Sequence, residues 1–298
     1  MKVCAKDVMV RGGLVRVARL AAEGFEFWDN PEAALTYLRD NRCGIDLVTF
    51  MQKLPAAHPQ YDYPMEWDNV AALPLSSFDH WWAKQIDGKT RNMVRRAEKK
   101  GLVVREVPFD DDLVKGIWDI YNECPVRQGR RFQHYGKNLE AVRRMSATFI
   151  DRSIFIGAFL AERLIGFAKL TTDDAQSQTA LMHIIAMLSH RDKSPTNALV
   201  AQAVKSSCQR GIPYLVYSKY SYGKKSADSL TDFKASNGFQ RIDIPRYYVP
   251  FTRVGRVALT LGLHHSPLDC LPEPMIMRLR QIRSNWYTHK SSKAFEAS

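Results

Sequence analysis

A basic turn joins an apolar, strand-like run to an amphipathic helix in the stretch HIIAMLSHRDKSPTNALVAQAVKSS, residues 183–207. Ser194 is a favourable N-cap residue, and Pro195 is tolerated at the first helical position because its missing N–H would have no partner there. The remaining free N–H groups and the helix dipole favour an anion at such a turn. Arg191 could bind two phosphate oxygens and Lys193 adds a point charge, so the turn predicts a phosphate site. The alternative is a capped surface helix with two solvated cations.

A second dense segment, YNECPVRQGRRFQHYGK, lies between two helix-like stretches at residues 121–137. A carboxylate and an imidazole in this segment could act as general bases, and its arginines could bind an acidic molecule. The residues concerned are Glu123, Arg127, Arg130, Arg131, His134 and Tyr135. Pro125 and Gly129 interrupt the segment and predict a loop. A charged, exposed loop without a function is the alternative interpretation.

The elements that must position these residues follow a regular order from residue 102 onward. Apolar periodicities predict the order β-α-α-β-β-β-α-β-α-β. Three consecutive strands form an antiparallel meander, and the helix after the third strand makes one parallel crossover, which should be right-handed. The prediction is an α+β fold, with a mixed, mostly antiparallel sheet flanked by helices. The basic turn then lies at the parallel joint, where ligands bind in open sheets of this kind.

The chain divides into three predicted regions. Residues 1–88 predict a smaller α/β region, with strands at GGLVRVARL and GIDLVTFMQKL around a helix at PEAALTYLRD. Residues 89–251 predict the main domain, which begins with the basic helix KTRNMVRRAEKK and its stop at Gly101. Residues 252–298 predict a helical tail that becomes polar towards its end.

Composition limits the partners and the compartment. The net charge of +12 and the pI of about 9.5 favour an anionic partner: a phosphorylated cofactor, a nucleic acid or an acidic membrane surface. The five cysteines are scattered and never in CxxC spacing, so the sequence predicts neither a metal site nor disulfides, and a reducing cytoplasm fits best. We find neither an 18-residue apolar run nor a secretory signal, so no transmembrane segment is expected. The oligomeric state stays open.

The element order over residues 102–251, with its β–α joint after the third meander strand, resembles the GNAT acyltransferase fold. The resemblance implies that the strand before the joint pairs with the pantetheine arm of an acyl donor, that the next strand splays away, and that the turn binds the pyrophosphate. The implied donor-binding residues are Met187, Leu188, Arg191, Lys193, Ser194, Thr196 and Asn197. One departure concerns the turn itself. The common GNAT pattern is R/Q-x-x-G-x-G/A, and RDKSPT keeps the arginine but has neither glycine, which weakens the case for coenzyme A.

Two further stretches, KTRNMVRRAEKKGLVV and TDFKASNGFQR, resemble the FemAB-type branch of this fold. That branch includes aminoacyl-tRNA-dependent peptidoglycan transferases and related single-domain acyltransferases. The peptidoglycan enzymes typically have two GNAT units, often with a helical arm. Residues 1–88 could therefore be a reduced first unit.

Acyl transfer to an amine needs a free amine, a stabiliser for the oxyanion and an acid for the leaving group. The resemblance implies that backbone N–H groups of Met187 and Leu188 polarise the acyl carbonyl. It also implies a tyrosine acid near YSKYSYGKKS, where Tyr217, Tyr220 and Tyr222 are candidates. Each of these tyrosines could instead serve only in packing.

His183 lies four residues before Met187 on the same predicted strand. A neutral imidazole there could take the ammonium proton of the acceptor, directly or through water. A buried core histidine is the alternative. The loop at 123–135 joins the two helices that usually cover the acceptor site in this fold, so Glu123 or His134 could serve as the base instead.

These observations lead to three functional hypotheses. The first is an N-acyltransferase that moves an acyl group from an acyl-CoA thioester to an amine on a small molecule or a peptide. The second keeps the fold and uses aminoacyl-tRNA as the donor, which the basic helix at 89–100 and the net charge favour. The third is a catalytically inactive, basic nucleic-acid-binding protein, although most aromatic residues lie in core-like patterns rather than as exposed platforms for bases.

Overall fold

The computed structural model describes residues 1–41, 43–221 and 229–265. The α-helices of these residues are Pro31–Asp40 (α1), Phe78–His80 (α2), Gly88–Lys99 (α3), Asp111–Asn122 (α4), Leu139–Ser146 (α5), Pro195–Gln209 (α6), Ser229–Ser236 (α7) and Arg253–Thr260 (α8). The strands are Lys2–Val3 (β1), Lys6–Arg11 (β2), Val17–Leu20 (β3), Leu47–Met51 (β4), Met65–Pro74 (β5), Leu102–Val107 (β6), Val126–Arg127 (β7), Arg130–Arg131 (β8), Ser153–Leu160 (β9), Arg163–Thr172 (β10), Thr179–Ala186 (β11), Tyr214–Val216 (β12) and Gln240–Pro250 (β13).

Eleven of the described strands form one sheet in the order β1-β2-β3-β4-β13-β5-β12-β11-β10-β9-β6, and β7 pairs with β8 in a separate hairpin. The pairs β3–β4 and β11–β12 are parallel. The other neighbouring strands that the structure describes are antiparallel. The predicted α+β class is confirmed, and its parallel crossover runs from β11 through α6 to β12.

The two ends of this sheet repeat one order of elements. At one end the antiparallel strands β1–β3 lead through α1 to the parallel strand β4, and at the other end β9–β11 lead through α6 to β12. β5 follows β4 in the chain but pairs with β12, while β13 follows β12 but pairs with β4. Each half therefore contributes one strand to the other. Since strands from both sides of residue 88 share the sheet, the division into residues 1–88, 89–251 and 252–298 stays a prediction.

The strands β11 and β12 separate soon after they pair. Their register contains only Thr179 with Leu215 and Ala180 with Val216, yet β11 continues to Ala186. The splay that the GNAT resemblance implied is therefore present. Along the separated part of β11, alternate residues direct their N–H and C=O groups towards the gap.

Helices cover both faces of the sheet beside this gap. On one face the Tyr121 ring of α4 lies 5.9 Å from the Phe167 ring of β10. On the other face a Cβ added to Gly166 would lie 3.3 Å from the Cδ1 atom of Leu199 in α6. Because neighbouring strand residues point to opposite faces, α4 and α6 lie on opposite sides of the sheet.

Local signals explain where several helices begin and end. The side chain of Asn30 accepts a hydrogen bond from the N–H of Ala33 at the start of α1, and Asp110 does the same for Leu113 at the start of α4. Gly101 has a φ of +79° just beyond α3, as expected for a glycine that terminates a helix.

Several predicted elements differ from the structure. The strand predicted at GGLVRVARL begins only at Val17, because Gly12 has a φ of +103° and the chain turns there. The short strands β1, β2, β7 and β8 were not predicted. The strand predicted at PYLVYSKY is limited to Tyr214–Val216. The helix predicted at EPMIMRLRQIRSNWY lies outside the described residues. Within the described ranges, no helix has both the length and the apolarity of a membrane span.

Candidate active site

A cavity of about 810 Å³ lies beside the turn that leads from β11 into α6. Its walls come from the first turns of α3 and α6 and from α7. The lining residues include Asp87, Lys89, Thr90, Met93, Arg191, Ser194, Thr196, Asn197, Ser229, Asp232 and Phe233. The volume suits a small-molecule site, and the N-terminal end of α6 favours an anion. The N-terminal end of α3 is already capped by the Asp87 carboxylate, which accepts a hydrogen bond from the Thr90 N–H.

The basic turn lies at this cavity, but its two cations differ. Arg191 is exposed and lines the cavity. The Nζ atom of Lys193 lies 3.3 Å from a carboxylate oxygen of Asp192, and the Nζ atom of Lys100 lies 2.8 Å from the other. Lys193 is therefore partly neutralised by its neighbour, and Arg191 is the stronger candidate for a phosphate contact.

Ser194 stands at the N-cap position of α6, but the predicted side-chain cap is wrong. Its backbone is left-handed (φ 52°, ψ 44°), and its side chain makes no capping hydrogen bond. The cause is the 3₁₀ turn at Leu188–Lys193, which leads into the helix in place of an extended residue. Pro195 is the first helical residue, as expected, so Thr196 and Asn197 bring the first N–H groups of α6 to the cavity.

Glu123, at the end of α4, binds the start of the same turn. Its carboxylate accepts hydrogen bonds from the N–H of Leu188 at 2.7 Å, from the N–H of Ser189 at 2.9 Å and from the Ser189 hydroxyl at 2.7 Å. Burial raises the pKa of Glu123, but these hydrogen bonds and the charge of Arg127 outweigh burial and hold the pKa below its ordinary value. Both carboxylate oxygens already accept hydrogen bonds from the turn, so the geometry favours a clamp over the predicted catalytic role.

The two N–H groups predicted to polarise the acyl carbonyl already have partners. The N–H of Met187 donates to the carbonyl of Ile165 at 2.8 Å, and the N–H of Leu188 donates to Glu123. This arrangement does not support the predicted oxyanion role. The backbone of β11 beside the gap is the better candidate.

Arg127 holds the loop after α4 against the end of β11. Its guanidinium donates to the carbonyl of Ala186 at 2.7 Å and to the carbonyl of Ile120 at 2.8 Å. It also pairs with Glu123 at 3.1 Å and lies 4.6 Å from the centroid of the Phe132 ring. Since these contacts engage the guanidinium within the protein, the prediction that Arg127 binds the acceptor is not supported.

The other residues predicted to bind the acceptor are accessible. Arg130 and Arg131 form β8 and are exposed, and Tyr135 is 44% exposed. They remain candidates for contacts with an acceptor that approaches from solvent.

His134 and His183, two of the predicted bases, lie together. Their ring centroids are 6.0 Å apart, and His134 stacks on Tyr121 at 4.5 Å. Burial lowers the pKa of each imidazole to about 4, so both rings are neutral near pH 7. His183 also lies 6.3 Å from the Phe167 ring, on the face covered by α4.

The tyrosine candidates lie beside α7. The Tyr217 ring packs against the rings of Phe233 and Phe239, with centroids 6.5 and 5.9 Å away. Tyr220 is partly buried against the same core. Tyr217 and Tyr220 stay predicted as the general acid. Tyr222 lies outside the described residues.

The basic helix α3 divides its cations between two roles. Arg91 donates to the carbonyls of Trp82, Ala83 and Ile86 and so closes the π-helical turn Trp81–Gln85. The side chains of Lys89, Arg95, Arg96 and Lys99 are exposed.

The sequence analysis did not predict that residues of α3 and α7 line the cavity. Lys89 and Thr90 come from one stretch that resembled FemAB-type proteins, and Asp232 and Phe233 come from the other. The two stretches are more than a hundred residues apart in the chain, and they meet at this cavity. Their shared resemblance was the available signal.

The sequence matches no family model and no curated protein. Solved structures do match. FemX aligns with a TM-score of 0.59 at 10% identity, over 86% of each chain. The C-terminal domain of a putative lysylphosphatidylglycerol synthetase from Agrobacterium fabrum aligns with a TM-score of 0.56 at 14% identity, over 85% of this chain and 83% of that one. L-PGS from Bacillus licheniformis gives a TM-score of 0.54 at 14% identity, over 86% and 84%.

The chain has a GNAT-like fold, similar to that of FemX. At these identities the similarity is one of fold. It nevertheless extends over both ends of the sheet, whereas the resemblance in sequence was limited to residues 102–251 and two short stretches.

Proposed function

We propose that the protein is an acyltransferase that moves an acyl group from a phosphate-bearing donor to an amine. The observation that carries this proposal is the gap between β11 and β12 together with the cavity at the turn after β11. Arg191 and the N-terminal end of α6 would bind the donor's phosphates. The acyl arm would then pair with the free edge of β11.

The gap also explains how donor and acceptor would meet. The donor cavity includes the start of α6, whereas His183 lies on the opposite face of the sheet, under α4. An acyl arm that enters the gap would bring its carbonyl towards His183. The acceptor amine would reach the same carbonyl from the side of α4 and the loop at 123–135.

In the proposed reaction, the neutral amine attacks the acyl carbonyl and a tetrahedral intermediate forms. The imidazole of His183 takes the proton that the nitrogen loses, directly or through water. The intermediate then expels the donor's thiolate or ribose oxygen, which is protonated by Tyr217, Tyr220 or water. His134, stacked beside His183, is the second candidate for the base.

The donor we favour is an acyl-CoA, because one cavity of this size can hold a phosphorylated small molecule. A specific observation supports aminoacyl-tRNA as a second candidate. The first turn of α3 lines the cavity, and exposed cations continue along the same helix. A tRNA could place its acceptor end in the cavity and its backbone on Arg95, Arg96 and Lys99. The cytoplasm, which the sequence predicted, is the compartment we propose for either donor.

Two measurements test the proposal. Native mass spectrometry of freshly purified protein should show bound coenzyme A, or co-purified tRNA if the second donor is right. Arg191→Ala should weaken donor binding by roughly 1.5–3 kcal/mol, as expected for a lost charge-assisted hydrogen bond, and Arg191→Lys should restore only part of it. If both variants bound the donor with wild-type affinity, the proposal that the donor's phosphates bind at this cavity would be wrong.

A further inference from the structure

Three potential metal ligands converge outside the donor cavity. Glu66 lies near the start of β5, and His264 and His265 follow α8. The Nε2 atoms of His264 and His265 lie 3.0 and 3.1 Å from one and the same oxygen, Oε1 of Glu66. The three ligand atoms are all within 4.8 Å of one another.

The surroundings hold two of these groups in place. The Tyr248 hydroxyl of β13 donates to the second oxygen of Glu66 at 3.2 Å and so fixes the orientation of the carboxylate. The side chain of His264 is only 3% exposed, and its ring lies 4.5 Å from that of Tyr248. The Nδ1 atom of His264 is buried without a hydrogen-bond partner in the part of the chain that the structure describes. Nε2 is the nitrogen of this ring that faces Glu66.

The three ligand atoms lie close enough together to share one centre. The two imidazole rings have centroids 3.9 Å apart, and both direct Nε2 at a single oxygen while Tyr248 uses the other. Ligands at 2.0–2.2 Å from a tetrahedral metal ion lie about 3.4 Å apart. The two nitrogen–oxygen distances, 3.0 and 3.1 Å, are of hydrogen-bond length, and the atoms would move apart by only a few tenths of an ångström to take up an ion.

We propose that Glu66, His264 and His265 form a binding site for a divalent cation of the Zn²⁺ type. Two imidazole nitrogens and one carboxylate oxygen suit Zn²⁺ and leave a fourth position for water. The Tyr248 hydroxyl is the outer partner that orients the carboxylate ligand. The cation fastens the segment after α8 to the strands β5 and β13, and its role is independent of acyl transfer.

Full-length, tag-free protein that has been treated with a chelator and dialysed tests this site. Titration with ZnCl₂ by calorimetry should give one equivalent of saturable binding. Substitution with Co²⁺ should give the visible absorption bands of a four-coordinate site. His265→Gln is the mild variant, because His265 is partly exposed, and it should weaken Zn²⁺ binding at least about 10-fold, the lower end of what even an outer-partner loss costs. Glu66→Gln should do the same.

A matched control separates this site from scattered surface histidines. His58 and His80 are exposed and lie elsewhere in the chain, so the double variant His58→Gln/His80→Gln should bind Zn²⁺ like wild type. At a Zn²⁺ concentration near the wild-type Kd, Zn²⁺ should raise the Tm of wild type and of this control equally and that of His265→Gln much less. Absence of saturable binding in wild type, or equal affinity in wild type and His265→Gln, would overturn the proposal.

Discussion

Burial lowers the pKa of His183 to about 4, so the imidazole is already neutral throughout the physiological pH range. An unperturbed imidazole would titrate near pH 6.5. If His183 is the base, kcat/KM should therefore show no rise from its titration between pH 6 and 8, and the acceptor amine should dominate the profile. His183→Gln should lower kcat by roughly 10²–10⁴-fold with little change in the KM for the donor.

Steady-state kinetics from pH 5.5 to 8.5 checks this prediction, with His58→Gln as the control because that histidine is exposed. A kcat unchanged by His183→Gln would show that His183 is a structural core residue, and His134 would then be the candidate base.

The Glu123 carboxylate joins α4 to the turn after β11, so its removal should lower the stability of the protein. Glu123→Ala leaves the N–H groups of Leu188 and Ser189 and the guanidinium of Arg127 without that partner. We expect the free energy of unfolding to fall by roughly 1.5–3 kcal/mol, since the partly buried Arg127 and two exposed N–H groups lose charge-assisted hydrogen bonds. Urea denaturation measures the loss, and Glu98→Ala on an exposed part of α3 should change little. If Glu123→Ala lost activity but kept its stability, the clamp would be the wrong role and a catalytic base the better one.

The exposed cations of helix α3 allow the two candidate donors to be distinguished by the salt dependence of their binding. A tRNA on Arg95, Arg96 and Lys99 would release condensed counterions, and log affinity would fall by roughly 0.7–0.9 per neutralised phosphate as log salt rises. A coenzyme A in the cavity should show a much shallower dependence, set by ordinary screening. We expect the shallow slope, and an affinity for coenzyme A nearly unchanged by Arg95→Glu/Arg96→Glu.

Filter binding and fluorescence titration from 50 to 300 mM salt measure both slopes. Arg253→Glu/Arg256→Glu on α8 is the matched control, because it makes the same change of charge on another exposed helix. Aminoacyl-tRNA would be the donor if three results were found together. The affinity for tRNA would fall steeply with salt, only Arg95→Glu/Arg96→Glu would flatten that dependence, and coenzyme A would not bind.

Only part of the arrangement of helices and strands could be predicted from the sequence. The order of helices and strands after residue 102 was predicted correctly except for the hairpin β7–β8, because periodicity, caps and turn residues are local signals. The exchange of β5 and β13 could not be predicted, since pairing between strands far apart in the chain leaves no local pattern. The same limit applied to Glu123, whose partners in the turn after β11 lie more than sixty residues away, and to the contact of Glu66 with His264.

At the scale of the whole molecule, the buried pair His134 and His183 should make folding sensitive to mild acid. The folded pKa of each, about 4, lies below the value near 6.5 expected in the unfolded chain. The unfolded chain therefore binds more protons between pH 6.5 and 4. Stability should fall as the pH falls through this window, by up to about 1.4 kcal/mol per pH unit for each histidine.

Urea midpoints between pH 4.5 and 7 test this dependence. His183→Gln should remove one of the two contributions to the slope, whereas His80→Gln should not, because His80 is exposed. A slope that is the same in wild type and in His183→Gln would mean that His183 titrates alike in both states.

The exchange of β5 and β13 has a consequence for the time at which the protein becomes complete during its synthesis. Strand β4 is made early, but its partner β13 ends at residue 250. At roughly 5–20 residues per second, the ribosome needs about 10–40 s to reach β13 after β4 has been made. Through that interval β4 has an open edge, and β5 also lacks β12 and β13, the neighbours on its two sides. The first half thus waits for nearly the entire chain, so nascent chains that stop before β13 are the ones we expect chaperones to hold.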